Sequence, residues 1–145
     1  MGRFLEISIP WLLALIVPGL YLKYGVGIIN IGNLLIEFQS IGTFTFGFLL
    51  TLLGLIHQGD SEAINAFKSH KGLYGRFISL NRNTVFLSLI LTLYSYTVTN
   101  IHVFSENPSL IDKVISAFFL GGLVYFAYTS IYFLLIFYKI LKIDF

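Results

Sequence analysis

Cysteine is absent from the chain, which excludes disulfide crosslinks, thiolate nucleophiles and cysteine-based metal sites. Charge is scarce too: nine Lys and Arg and seven Asp and Glu make up 11% of 145 residues, where soluble domains carry about 25%. None of these charges falls in the middle of the long apolar runs. A charged group at mid-bilayer costs roughly 2.5–3.5 kcal/mol on the insertion scale, and ion-coupled carriers rely on such groups. A coupled transporter or proton pump is therefore disfavoured. Gly-rich phosphate loops and serine-nucleophile motifs are also missing. His57, Asp60, Glu62 and His70 gather between two apolar runs, but their spacing matches no zinc-binding helix motif and reads as solvated loop chemistry. Neither catalysis nor a metal or cofactor is expected. The net charge of +2 is too small for direct nucleic-acid binding by the whole chain.

What remains is apolar: 57% hydrophobic and 17% aromatic residues, with a mean hydropathy of +0.85. The length suits one bundle rather than several domains. Phe, Ile, Tyr, Asn and Lys recur while Ala is scarce, the composition of an AT-rich gene and a hint of a bacterial source. Four apolar stretches, at about 4–22, 38–56, 84–104 and 110–138, can cross a hydrocarbon core of about 30 Å, which takes about 20 helical residues. The predicted fold is all-α: a polytopic membrane protein with a four-transmembrane-helix bundle and a short cytoplasmic amphipathic helix. The first stretch lacks a small-x-small cleavage site after its apolar run, so it reads as a retained helix rather than a secretory signal. Pro10 and Pro18 are expected to bend it or to restrict its regular part. The segment 25–37 is rich in Gly and Asn. It reads as an outer loop or a short helix on the bundle, with a re-entrant segment as the alternative.

Orientation follows from basic residues. With four spans, Arg3, Lys68, Lys71, Arg76, Arg82, Lys139 and Lys142 fall on one side, and Lys23 and Lys113 on the other. The basic side faces the cytoplasm by the positive-inside rule, which puts both termini there, in a bacterial inner membrane. The segment 57–83 is then the one sizeable cytoplasmic stretch. Within it Ile64, Phe67, Leu73, Phe77 and Leu80 recur at roughly helical spacing among Lys68, Lys71, Arg76 and Arg82. This is an amphipathic helix, bent at Gly72 or Gly75, whose surface meets anionic lipid or docks a soluble protein. Across the membrane, Ser109 and Asp112 match a capping box that starts the fourth helix.

Three side-chain patterns mark the spans. Ser88, Thr92, Ser95 and Thr99 share one face of the third, and Asn81 and His102 extend that face. Lipid cannot satisfy hydroxyls, so this stripe either packs against another helix or lines a hydrated path. On the second span Thr43, Gly47, Thr51 and Gly54 form a small-residue face, and Ala117 and Gly121, with Gly122 alongside, form another on the fourth. Both are expected to mediate close helix contact. Tyr125, Tyr128 and Tyr132 form a row on the fourth span and read as packing residues with hydrogen-bonded hydroxyls.

The layout, together with the segment IGTFTFGFLLTLLGLIHQGDSEAINAFKSHKGLYGRF, resembles two small bacterial membrane families linked to phage defence. These are KwaA of the Kiwa system and the lambda-phage exclusion protein RexB. The likeness rests on a glycine-containing span followed by a basic loop, and it carries no functional residues over. Resemblance to KwaA implies a membrane-embedded homo-oligomer that senses infection or membrane disturbance and works with a soluble, nucleic-acid-binding partner. Helix packing would then change with membrane state, and the helix at 61–80 would relay the change. Resemblance to RexB implies the alternative, a depolarising channel with the Ser/Thr stripe along its path.

Overall fold

The computed structural model describes residues 2–24, 30–60, 62–102 and 109–141. All of its regular structure is helical: α1 Gly2–Tyr24, α2 Ile31–Gln58, α3 Glu62–Ser69, α4 Lys71–Ile101 and α5 Leu110–Leu141. Three of these, α2, α4 and α5, are long and apolar enough to cross a membrane. In α1 the described apolar stretch, Ser8–Tyr24, is shorter. Residues 25–29 and 103–104, Ser61 and Lys142, all used in the sequence-based expectations, lie outside the described residues.

Helix boundaries depart from expectation in three places. The second helix starts at Ile31 rather than near residue 38, because Asn30 caps it by accepting a hydrogen bond from the Asn33 backbone N–H at 3.1 Å. Much of the expected outer loop is thus the first two turns of α2. The amphipathic helix expected across 61–80 divides at His70, and Gly72 and Gly75 lie inside an unbroken α4. There the His70 N–H closes a turn on the Phe67 carbonyl at 3.2 Å, and α4 restarts with Leu73 N–H on the His70 carbonyl at 2.9 Å. Finally, α1 runs as one helix through Pro10 and Pro18. Each proline costs one helix hydrogen bond, and the carbonyl four residues before Pro18 is put to use below.

The Ser109–Asp112 capping box is present. Asp112 Oδ2 accepts from the Ser109 backbone N–H at 2.7 Å and from its hydroxyl at 2.8 Å, while Ser109 Oγ accepts from the Asp112 N–H at 3.2 Å. His102, the C-cap of α4, hydrogen-bonds the Asp112 carboxylate through Nε2. The end of α4 is thereby clasped to the start of α5.

Packing runs α2–α4–α5–α1, with α4 and α5 central and α3 laid on α4. One core, toward the His102 end, joins Leu35 and Phe38 of α2 to Leu91 and Val98 of α4 and Phe119 and Phe126 of α5. Phe38 meets Phe119 and Phe126 edge-on, with centroids at 5.6 and 5.3 Å, a favoured aromatic geometry. The other core, toward the α3 end, gathers Leu49, Phe67, Phe77, Val85, Phe133 and Ile136. The outward surface is large and apolar, with Trp11 and Leu15 on α1, Phe44 and Phe48 on α2, and Phe118 and Leu134 on α5 all exposed, as a lipid-facing surface is.

Candidate functional site

The hydroxyl stripe of α4 is an internal seam against α2. Asn81, Thr84, Ser88, Thr92 and Ser95 are all buried, and Thr99 is half-buried. Asn81 Nδ2 donates to the Leu49 carbonyl at 3.2 Å, Ser95 Oγ to the Leu35 carbonyl, and Gln39 Nε2 to Thr99 Oγ1 at 2.9 Å. These three bonds tie α2 to α4 over most of their shared length. Ser88 and Thr84 turn back on their own helix, to the Val85 and Leu80 carbonyls at 2.8 and 2.9 Å. Asn81 Oδ1 and Thr92 Oγ1 are buried with no hydrogen-bond partner among the described residues. The geometry of a single chain therefore favours the packing reading of Ser88, Thr92, Ser95 and Thr99. In one protomer their face is covered by α2.

The glycine that permits this seam is Gly42, outside the row singled out by spacing. A Cβ there would lie 2.1 Å from Thr92 Oγ1 and 2.9 Å from Phe38 Cε1. By contrast, Gly47 and Thr51 are exposed, and a Cβ on Gly47 or Gly54 would meet nothing within 4 Å. Thr51 spends its hydroxyl on the Gly47 carbonyl of its own helix at 2.9 Å. The expected close contact through Gly47, Thr51 and Gly54 is thus not made among the described residues. Their face is turned outward because Ile31, Leu35, Phe38, Gly42 and Leu49 are the residues α2 buries.

Gly121 does make the expected contact. Its Cβ would stand 2.8 Å from the Ala14 carbonyl oxygen and 3.1 Å from Pro18 Cγ. Ala14 is the residue whose carbonyl Pro18, lacking an N–H, leaves without its usual helical donor. The Gly121 backbone packs against that freed oxygen, a close approach that only a residue without a side chain permits.

The basic segment is less open than its sequence suggests. Phe67 is 3% exposed and sits edge-on to Tyr74 and Phe77 at 5.5 Å. Lys68 Nζ donates to the Gly59 carbonyl at 2.9 Å and the His57 carbonyl at 3.1 Å, where a cation meets the carbonyl-rich end of α2. These two residues, expected at a docking surface, instead staple α3 to the bundle. Lys71, Arg76 and Arg82 remain exposed.

Those three cations border two clefts. One, of about 670 Å³, runs between Pro10 of α1, the first three turns of α4 and the tyrosine row of α5. Lys71, Arg76, Ser79 and Asn83 line one wall, with Tyr125, Tyr128 and Tyr132 opposite. The tyrosines are half-buried and line this cleft, and Tyr132 also packs against the core at that end. Tyr128 and Tyr132 stack nearly parallel at 6.2 Å, and Tyr125 holds Trp11 at 5.1 Å. The second cleft, of about 630 Å³, opens between α2 and α4 and is lined by His57, Tyr74 and Arg82. Nothing in composition separates the two, and the first was missed because its walls come from three helices distant in sequence.

No family model, curated protein or solved structure matches this chain.

Proposed function

We propose that this chain is a sensor and scaffold of a bacterial inner membrane, with four spans and both termini in the cytoplasm. It assembles as a homo-oligomer and docks a soluble cytosolic effector, itself able to bind nucleic acid, through the stretch 57–83, which runs from the end of α2 through α3 into the first turns of α4. As the KwaA resemblance implies, its setting is anti-phage defence. One observation carries this reading: the segment that bears the exposed cations is joined mechanically to the spans. Phe67 inserts between α3 and α4, and Lys68 holds the last carbonyls of α2. A shift of α2 against α4 therefore moves α3 relative to the α4 surface that carries Lys71, Arg76 and Arg82.

Other features fit. With its 23 residues, α1 is long enough to complete a fourth span. The outward face of Gly47, Thr51 and Gly54 leaves α2 a small-residue surface on which a second copy can pack. The channel alternative is the weaker one, since the stripe packs against α2 and two of its four hydroxyls, those of Ser95 and Thr99, are bonded across to that helix.

The test is a pull-down in mild detergent with Lys71→Glu, Arg76→Glu and Arg82→Glu combined. Recovery of the soluble partner should fall at least about tenfold, because three reversed charges oppose the acidic surface that docks there. The size of the membrane assembly should stay the same. Undiminished recovery would contradict docking through this segment.

A further inference from the structure

We propose that the cleft between α1, α4 and α5 is a binding site for the phosphodiester headgroup of an anionic phospholipid. The inference rests on the membrane placement proposed above and names what that end of the bundle senses. The cleft's chemistry is that of a phosphate site at a wet boundary. Lys71 and Arg76 supply positive charge, Ser79 and Asn83 supply neutral donors, and Tyr128 and Tyr132 supply phenolic hydroxyls on amphipathic rings. Its volume of about 670 Å³ is in the range of small-molecule sites.

Depth points to a lipid. Counting about 20 residues of hydrocarbon-spanning helix back from Ile101 on α4 and forward from Leu110 on α5 reaches Arg82 and Thr129. The cleft straddles this level, with Tyr125 one turn deeper, Asn83 and Thr129 at the boundary and Lys71 and Arg76 farther out. Basic pockets between spans on the cytoplasmic side hold anionic headgroups for this reason. A bound headgroup occupies Lys71 and Arg76 and withholds them from a soluble partner, so loss of the lipid exposes the docking charges.

Trp11 is the only tryptophan and lies against Tyr125, a cleft residue. The full chain is reconstituted in phosphatidylcholine vesicles that hold equal minor fractions of brominated phosphatidylglycerol or brominated phosphatidylcholine, and quenching of Trp11 is compared. Phosphatidylglycerol should quench with a relative affinity at least about fivefold higher, the share of a single surface cation. Lys71→Gln with Arg76→Gln should bring the ratio to about one, while Arg82→Gln, at the other cleft, should leave it unchanged. Excess inorganic phosphate should not alter it. Equal quenching by the two lipids, or an equal loss in Arg82→Gln, would overturn the headgroup site. Displacement by inorganic phosphate would overturn the lipid as its source. No quenching by either lipid would overturn the membrane placement itself, and the pull-down above needs no lipid selectivity to succeed.

Discussion

Gly121→Val is expected to detach the N-terminal helix from an otherwise intact bundle. The helix α1 packs principally on α5, and a side chain at residue 121 starts 2.8 Å from a backbone oxygen, that of Ala14. A backbone atom cannot rotate away as a side-chain tip can, so the whole of α1 must retreat. Overpacking of this kind costs about 1–3 kcal/mol in ordinary cores, and here it falls on the interface through which α1 principally packs. Trp11 reports the outcome, because its ring contact with Tyr125 spans the same interface. Near-UV circular dichroism from the Trp11–Tyr125 pair should be lost, while far-UV helicity is kept. Gly122→Ala should be mild by comparison, since its Cβ would meet only the Cδ2 end of Leu91, at 2.5 Å.

Gly42→Ala is the second large effect, and it acts on the seam between α2 and α4. The added methyl would collide with Thr92 Oγ1 at 2.1 Å and with Phe38, whose ring is held between Phe119 and Phe126. A loss of about 1–3 kcal/mol is expected, read as a lower Tm in detergent by size-exclusion monitoring. Thr92→Ala in the same chain should restore part of it, because the colliding oxygen is gone; the shortfall measures Phe38. Thr92→Val alone should be near neutral, since that hydroxyl has no partner among the described residues to lose. Gly47→Ala, five residues along the same helix, should leave the Tm of the single chain unchanged.

The contrast between Gly42 and Gly47 shows where sequence reading stops. Hydropathy found the long helices, and the pairing of Ser109 with Asp112 located the start of α5, because these signals are local and act through the backbone. The shared face of Ser88, Thr92 and Ser95 was legible for the same reason: helical geometry sets it before any partner arrives. Which face of α2 meets that stripe was not legible. In lipid, the outward and inward faces are equally apolar, so spacing of small residues names two candidate seams and cannot rank them. The buried face of α2 carries a single glycine among large side chains, and its fit depends on Thr92 and Phe38, fifty residues and one turn away respectively. The break at His70 was hidden likewise. Glycines at positions 72 and 75 are tolerated inside α4, and the direction of α3 is set by Lys68 reaching the end of α2. The tyrosine cleft needs three helices at once, which no local pattern encodes.

The central claim is that the basic stretch 57–83 faces the cytoplasm, with the α4–α5 connection across the membrane. Because the chain has no cysteine, single cysteines can be introduced without background. Ser69→Cys, exposed at the end of α3, should react with a membrane-impermeant maleimide only after spheroplasts are permeabilised. Leu110→Cys, at a position 77% exposed at the start of α5, should react in intact spheroplasts. Labelling of Ser69→Cys from outside, with Leu110→Cys protected, would contradict the orientation on which sensor, docking surface and headgroup site all depend.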